Sequence, residues 1–146
     1  MTNTTQTTTA AASATRGETA ETAEIVDRYI AVWSVAEADD RAKAVAELWR
    51  PDGVEYVEGQ QYRGHAALVE RVTEAYEAFV GNGAYLPLGG EDAVRRGDLV
   101  TFTIRLDHAA APVQDTAWSA RVFLVLAEDG RVREDYQLTV QPLVAA

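Results

Sequence analysis

The sequence predicts an α+β fold in which three helices pack on one face of a curved, mostly antiparallel sheet. Three observations support this fold class. Apolar residues recur with helical spacing in the first half of the chain, β-prone runs fill its last third, and glycine and proline turns separate the segments. The 146 residues, 47% of them hydrophobic, are enough for one domain with a substantial core. The predicted order of elements is α-α-β-β-α-β-β-β-β.

Amphipathic spacing predicts three helices. They span residues 18–37, 42–49 and 65–80. In the first helix the apolar side chains fall at i, i+4, i+7, i+8 and i+11, which places Tyr29 and Trp33 on one buried face. The turn formers Pro51-Asp52-Gly53 predict a stop after the second helix.

Runs of β-prone residues predict the sheet. The strands span residues 54–58, 61–63, 84–88 continuing to 91–95, 99–108, 116–127 and 131–140. Pro87 lacks a backbone donor, so its strand should lie at an edge or carry a bulge. Asp129-Gly130 predicts the hairpin turn between the last two strands.

The N-terminal segment differs in composition from the rest of the chain. Residues 1–17 are rich in Thr and Ala, so we expect a disordered tail there and a single domain over residues 18–146. The segment lacks the basic and apolar regions of a secretory signal, and no segment of the sequence is apolar enough to span a bilayer. We therefore expect a cytoplasmic protein.

Charge and residue content exclude several classes of function. The chain has 13 Lys and Arg against 23 Asp and Glu, a net charge of −10, which disfavours nucleic acid and anionic membranes as partners. It has no cysteine, which excludes disulfides and thiolate catalysis. Its two histidines lack metal-ligand spacing, so we expect neither a metal nor another cofactor.

Charged residues inside the late strands are the main candidates for chemistry. Arg105 and Asp107 are two apart on one strand and so share a face, and Asp135 lies on the last strand. Two carboxylates bridged by an arginine form an acid/base unit, with one group held ionised and the other protonated in an apolar site. One carboxylate would then take a proton and the other would give one.

A second orientation of the same strand is open. Val100, Phe102, Ile104 and Leu106 alternate with the polar residues, so Arg105 and Asp107 would face water if the apolar side faces the helices. In that case the pocket would be lined by Tyr29, Trp33, Tyr56, Phe102, Ile104 and Tyr136.

Four sequence segments resemble the nuclear transport factor two-like superfamily, whose members include SnoaL-like proteins. They are residues 28–33 in helix one, 46–56 around Pro51-Asp52-Gly53, 64–68 at the start of helix three, and 129–132 before the last strand. The resemblance runs from about residue 20 to 141. It implies a cone-shaped α+β barrel with an apolar pocket between helices and sheet, and often a homodimer through the outer face of the sheet.

Known activities of this superfamily match the chain to different extents. Ketosteroid isomerases have a tyrosine that Tyr29 matches, but their base position falls at Val57 and their acid position near residues 121–122. Two of the three roles are missing, which argues against that activity. Limonene epoxide hydrolases carry an Arg-x-Asp that Arg105 and Asp107 match, and an Asp-Tyr like the one starting at Asp135. Their Tyr-x-Asn is replaced by Tyr56-Val57-Glu58. SnoaL-like polyketide cyclases use one acidic residue in the pocket, for which Asp135, Asp107 and Glu58 are candidates.

The resemblance and the residues together predict a cofactor-independent acid/base enzyme of the cyclase or isomerase type, with epoxide opening as a further candidate reaction. Its substrate would be a small apolar metabolite such as a polyketide-like or terpenoid-like compound. The predicted catalytic residues are Asp135, Asp107, Arg105, Tyr56 and Glu58, and the predicted substrate contacts are Tyr29, Trp33, Phe102 and Tyr136. The alternative is a protein without catalytic activity that binds a small hydrophobic ligand or acts as a dimerising accessory.

Overall fold

The computed structural model describes residues 3–111 and 113–143, with side chains from residue 18 onward. The helices are α1 (Asn3–Val32), α2 (Ala38–Leu48) and α3 (His65–Ala75), and a π-helical turn, Tyr76–Val80, follows α3. The strands are β1 (Trp49–Val57), β2 (Gln60–Arg63), β3 (Tyr85–Gly89), β4 (Val94–Arg96), β5 (Leu99–His108), β6 (Thr116–Leu126) and β7 (Val132–Gln141).

The strands form one curved sheet with the order β2-β1-β7-β6-β5-β3, and β4 also pairs with β5. Only the β1–β7 pair is parallel among the described strands. The predicted α+β cone of helices on a mostly antiparallel sheet is confirmed, but the sheet does not close into a barrel, since β2 and β3 lie at its two ends. Pro87 lies on the end strand β3, as its missing donor predicts.

The segment from Trp49 to Gly53 differs from its prediction. Trp49 begins β1 instead of ending α2, and Pro51-Asp52-Gly53 lies inside the strand. The register with β7 passes from Trp49–Val132 to Val54–Glu134, so four residues of β1 form a bulge against one residue of β7. A bulge tolerates a proline in a strand because the local ladder hydrogen bonds are already absent.

The boundaries of the first helix also differ from their prediction. Helix α1 ends at Val32, five residues before the predicted end at Glu37, and Ser34 donates its backbone N–H to the carbonyl of Ala31 in a closing turn. Toward the N-terminus, α1 begins at Asn3, within the segment where composition predicts a disordered tail. The side chains of residues 1–17 lie outside those described, so the tail stays a prediction.

The core lies between the helices and the covered face of the sheet. The ring of Tyr29 packs edge-on against Phe102 and Trp49, with centroids 5.4 and 6.0 Å apart. Val100, Phe102 and Ile104 are buried here, so the apolar side of β5 faces the helices. The orientation that the sequence left open is therefore the one in which Arg105 points to the outer face.

Between residues 3 and 143, Pro112 excepted, no helix combines the length and hydropathy that a bilayer crossing requires. The cytoplasmic location stays a prediction.

Candidate active site

A cavity of about 390 Å³ opens between α3, its π-helical turn and the covered face of the sheet. Much of its wall is apolar and comes from Trp33, Phe79, Val80, Ile104, Leu106 and Trp118. The polar part of the wall comes from Glu58, Gln60, Tyr62, Arg71, Gln137 and Thr139. A cavity with this lining suits a small, mostly apolar molecule that carries a few polar atoms.

Two carboxylates lie side by side behind the polar part of this wall. Glu55 on β1 and Asp135 on β7 are register partners in the parallel pair, so both side chains project from the same face of the sheet. Both residues are 0% exposed. The Tyr29 hydroxyl, on α1, lies 2.9 and 3.0 Å from the two Asp135 carboxylate oxygens and 3.4 Å from Glu55 Oε2.

Arg71, on the inner side of α3, provides the positive charge for this pair. Its Nε donates to Glu55 Oε1 at 2.7 Å. Its guanidinium lies over the rings of Trp33 and Tyr62, 5.1 and 5.7 Å from their centroids. These contacts hold the guanidinium in one orientation at the cavity wall.

Burial and neighbouring charge shift the titration of the cluster. Burial and then the charge of Glu55 raise the pKa of Asp135 well above its usual range. Burial also raises the pKa of the Tyr29 hydroxyl, and the two carboxylates add to that shift. Burial alone would lower the pKa of Arg71, but the adjacent Glu55 raises it. These shifts favour the protonated form of Asp135, and the Arg71 guanidinium lies beside the charge of Glu55.

Gln137 connects the buried cluster to the cavity. It lies two residues after Asp135, on the same face of β7, and lines the cavity. Its Nε2 donates to the Tyr29 hydroxyl at 2.7 Å, and Tyr29 in turn reaches Asp135. The buried Gln137 Oε1 has no hydrogen-bond partner within residues 18–111 and 113–143, and the same holds for Trp33 Nε1.

Two of the five predicted catalytic residues belong to this site. Asp135 lies in the buried cluster, and Glu58 lines the cavity, where it accepts a hydrogen bond from the Thr139 hydroxyl. Glu58 adopts a positive φ of 49° in the turn between β1 and β2. The residue types of both were visible in the sequence, which placed Asp135 on the last strand as the structure does, and placed Glu58 at a strand end where the structure has a turn.

The other three predicted catalytic residues lie on the outer face of the sheet. Arg105 alternates with the cavity residues Ile104 and Leu106, and it contacts Asp107 at 3.3 Å. Tyr56 stacks on Tyr136, a predicted substrate contact, with ring centroids 4.9 Å apart. The structure therefore does not bring the predicted Arg105–Asp107 unit together with Asp135, because the alternation of each strand places them on opposite sides.

The remaining predicted substrate contacts divide between the cavity and the core. Trp33 lines the cavity, whereas Tyr29 and Phe102 are fully buried beneath it. Sequence reasoning did not select Glu55 or Arg71 as site residues. The signal for Arg71 was its place three residues after Leu68 and one before Val72, on the apolar side of α3. Glu55 was recognisable only by its pairing with Asp135 across β1 and β7.

Within the described parts of the chain, no group of three His, Asp or Glu side chains is placed to hold a metal ion. The sequence matches no protein-family model, and comparison with curated proteins found no match.

Solved structures match the fold across most of the chain. A "putative isomerase of the SnoaL-like family" from Agrobacterium tumefaciens strain C58 matches with a TM-score of 0.71 and 18% identity, covering 82% of this chain and 97% of that one. A "putative polyketide cyclase" from Sinorhizobium meliloti matches with a TM-score of 0.57 and 19% identity over 78% of this chain and 93% of that one.

A nuclear transport factor two-like protein of unknown function from Exiguobacterium sp. 255-15 matches with a TM-score of 0.59 and 14% identity, covering 81% of this chain and 99% of that one. At such low identities the likeness concerns the fold, and a fold of this kind hosts many activities. The resemblance predicted from the sequence is confirmed at that level: the chain has the nuclear transport factor two-like, SnoaL-like fold.

Proposed function

We propose that this protein is a cofactor-independent acid/base enzyme of the cyclase or isomerase type that acts on a small, largely apolar molecule in the cavity. The observation that carries the proposal is the carboxylate pair of Glu55 and Asp135, fully buried directly behind the polar cavity wall. Buried ion clusters are costly and are often replaced by apolar residues without loss of stability. Their presence beside a cavity is typical of sites that move protons.

Glu58 is the group proposed to exchange a proton with the substrate. It is the carboxylate that lines the cavity among residues 18–111 and 113–143. A base must come within hydrogen-bond reach of the proton that it abstracts, and a residue in the wall meets that requirement. The hydrogen bond from Thr139 directs one carboxylate oxygen of Glu58 and leaves the other available.

Asp135 and Glu55 are proposed as positioning residues because neither lines the cavity. Glu55 fixes the guanidinium of Arg71 through Nε, and Asp135 fixes Gln137 through the Tyr29 hydroxyl. The raised pKa of Asp135 favours its neutral form and so limits charge repulsion with Glu55, while the hydrogen bonds of the cluster hold the wall side chains in their orientation as charge develops on the substrate. Such preorganisation lowers the barrier because no reorganisation is needed during the reaction.

The experiment is deuterium uptake from D₂O into apolar ketones, esters and enones, selected first by their effect on the melting temperature of the protein. We expect wild-type protein to accelerate exchange at an acidic C–H bond, and Glu58→Gln to reduce the rate about 100-fold or more while leaving binding intact. Glu128→Gln, in the exposed turn before β7 and outside the cavity lining, is the matched control and should change nothing.

The positioning role of Asp135 has its own readout. We expect Asp135→Asn to lower the maximal exchange rate more than the binding affinity, and to change how the rate depends on pH. An exchange rate and pH profile unchanged in Asp135→Asn would contradict that role, even if Glu58 proves to be the base.

The alternative function is a binding protein without catalytic activity. The enclosure of Asp135 favours it, since a fully buried acid does not touch a ligand in the cavity. Binding of the panel without any exchange in wild type would support this alternative, and Trp33→Ala would then weaken the binding.

We also propose a homodimer formed through the outer face of the sheet. Leu86 and Leu88 alternate with the cavity residue Pro87, and Leu138 and Val140 alternate with the cavity residue Thr139, so all four project outward. These side chains are 38–70% exposed, and an exposed apolar set of this kind is typical of an interface between subunits.

A further inference from the structure

The polar wall of the cavity contains hydrogen-bonding atoms that the protein itself leaves unused. Arg71 uses Nε for Glu55, but its two Nη atoms have no hydrogen-bond partner within the described residues. Its side chain is 19% exposed and lines the cavity. The guanidinium has up to four N–H groups on those atoms, and its orientation is set by Glu55, Trp33 and Tyr62.

Two further unused atoms belong to residues of the same wall. Gln137 is 3% exposed and its Oε1 is an unpaired acceptor, while Trp33 is 6% exposed and its Nε1 is an unpaired donor. Arg71 lies over the ring of Trp33, and the hydrogen bonds of Tyr29 join Gln137 to the carboxylate pair that Arg71 contacts. A buried polar atom without a partner costs free energy, so these atoms indicate a ligand that would satisfy them.

We propose that this wall is a site for a neutral carbonyl group with an adjacent N–H or O–H donor, in which the Arg71 Nη atoms donate to the carbonyl oxygen and Gln137 Oε1 accepts from the donor. This inference rests on the proposed function and names the substrate class of the same cavity. The substrate is thus an apolar molecule bearing an amide-like or hydroxy-carbonyl end, with its apolar part against Phe79, Ile104, Leu106 and Trp118.

The charges around the wall favour a neutral group over a carboxylate. The positive charge of Arg71 is already offset by Glu55 at 2.7 Å, and Glu58 lines the same cavity. A carboxylate ligand would lie among two carboxylates and one guanidinium. A carbonyl oxygen receives the charge-assisted hydrogen bond from Arg71 without that repulsion.

Four naphthalene probes of nearly the same shape test the proposal by equilibrium dialysis. They are 2-isopropenylnaphthalene, 2-acetonaphthone, 2-naphthamide and 2-naphthoate, which present an alkene, a ketone, an amide and an anion on the same ring. We expect the ketone to bind about tenfold more tightly than the alkene, the size of one hydrogen bond to a charged group. We expect the amide to bind more tightly than the ketone, and the carboxylate less tightly than the amide.

Two variants assign these differences to residues. Arg71→Met combined with Glu55→Gln, which leaves no unpaired buried charge, should abolish the preference for ketone over alkene. Gln137→Leu should abolish the preference for amide over ketone and keep that for ketone over alkene. Arg105→Met, on the outer face, is the control and should keep both. If the double variant does not fold, Arg71→Lys keeps the charge but lacks the fork of Nη donors, and it should reduce the ketone preference.

The outcomes separate this inference from the proposed function. Equal binding of all four probes to wild type, or tightest binding of the carboxylate, would overturn the carbonyl site and leave the acid/base proposal standing. Preferences that persist in the Arg71 variants would also overturn it. Binding of none of the probes would overturn the cavity as a ligand site, and with it both proposals.

Discussion

The two faces of the sheet carry similar charged groups in opposite surroundings. On the covered face, Arg71 forms an ion pair with Glu55, which lies beside Asp135, and both carboxylates are 0% exposed. On the outer face, Arg105 contacts Glu91 at 3.1 Å and Asp107 at 3.3 Å. The Glu91 side chain is 68% exposed, whereas that of Asp107 is 6% exposed. The same residue types therefore form a fully enclosed pair of carboxylates beside a cavity on one side, and on the other side a network that reaches water through Glu91.

The two faces also shift carboxylate pKa values in opposite directions. Burial and the adjacent Glu55 raise the pKa of Asp135. Burial alone would also raise that of Asp92, which is bonded to the outer face, but hydrogen bonds from Thr103 and the charge of Arg121 lower it overall. A charged pattern on a strand therefore indicates chemistry only after its solvent exposure is known.

Replacing the arginine on each face should give the largest difference in stability between the two faces. We expect Arg71→Met to lower the free energy of unfolding by about 3–5 kcal/mol, because it leaves Glu55 buried without its cation. Arg105→Met should cost less, about 1–2 kcal/mol, because Glu91 stays hydrated and the buried Asp107 keeps the hydrogen bond from the Thr116 hydroxyl. Urea unfolding measures both, and adding Glu55→Gln to Arg71→Met should recover part of the loss. Equal losses for the two arginines would contradict the contrast between the faces.

Tyrosine hydroxyls offer a second comparison of the two faces, with a smaller expected effect. Tyr29→Phe should lower the free energy of unfolding by about 1–3 kcal/mol, because Asp135 and Gln137 each lose a buried partner. On the outer face, Glu134 raises the pKa of Tyr136 to about 12, yet Tyr136→Phe should cost about 1 kcal/mol or less since water replaces the bond. Urea unfolding of both variants measures the two losses of unfolding free energy. A larger loss for Tyr136→Phe than for Tyr29→Phe would contradict the enclosure of the cluster around Tyr29.

The pH dependence of stability should have opposite signs for Asp135 and Asp92. The native protein keeps a proton on Asp135 that the unfolded chain releases above about pH 4, so this residue's contribution falls as pH rises from there through the raised pKa. The contribution of Asp92 is present above about pH 4 and is lost as pH falls through its lowered pKa.

Urea unfolding of Asp135→Asn, Asp92→Asn and wild type at a series of pH values measures these two contributions. With rising pH the stability advantage of wild type over Asp135→Asn should shrink, whereas its advantage over Asp92→Asn should grow and then level off. Parallel curves for wild type and Asp135→Asn would show that this carboxyl has an ordinary pKa.

The smallest expected effect on stability concerns the proposed dimer. Leu138→Lys replaces a residue that is 57% exposed on the outer face, so we expect the folded monomer to change by no more than about 0.5 kcal/mol. Sedimentation equilibrium should show a dimer for wild type and a monomer for the variant. Val113→Lys, in the loop between β5 and β6 and 74% exposed, is the matched control and should remain dimeric. A monomeric wild type would refute the dimer.

The sequence was sufficient for the fold class because that depends on periodic burial. Helical spacing placed Tyr29 and Trp33 toward the core, and strict alternation in β5 buried Val100, Phe102 and Ile104. The predicted ends of helices and strands were less accurate where one sequence pattern is compatible with two local structures. Pro51-Asp52-Gly53 predicts a turn, but the ladder between β1 and β7 accommodates the same residues as a bulge.

Local patterns were enough to identify the strands and helices and the residue types available for chemistry, including Asp135 and Glu58. Which of those residues meet depends on how the strands pair and which helices pack over them. Glu55 and Asp135 lie 80 positions apart and become neighbours through the parallel pairing of β1 with β7, and Arg71 reaches Glu55 from a helix. Strand periodicity defines two faces without saying which is enclosed, because enclosure comes from the elements that pack over the sheet.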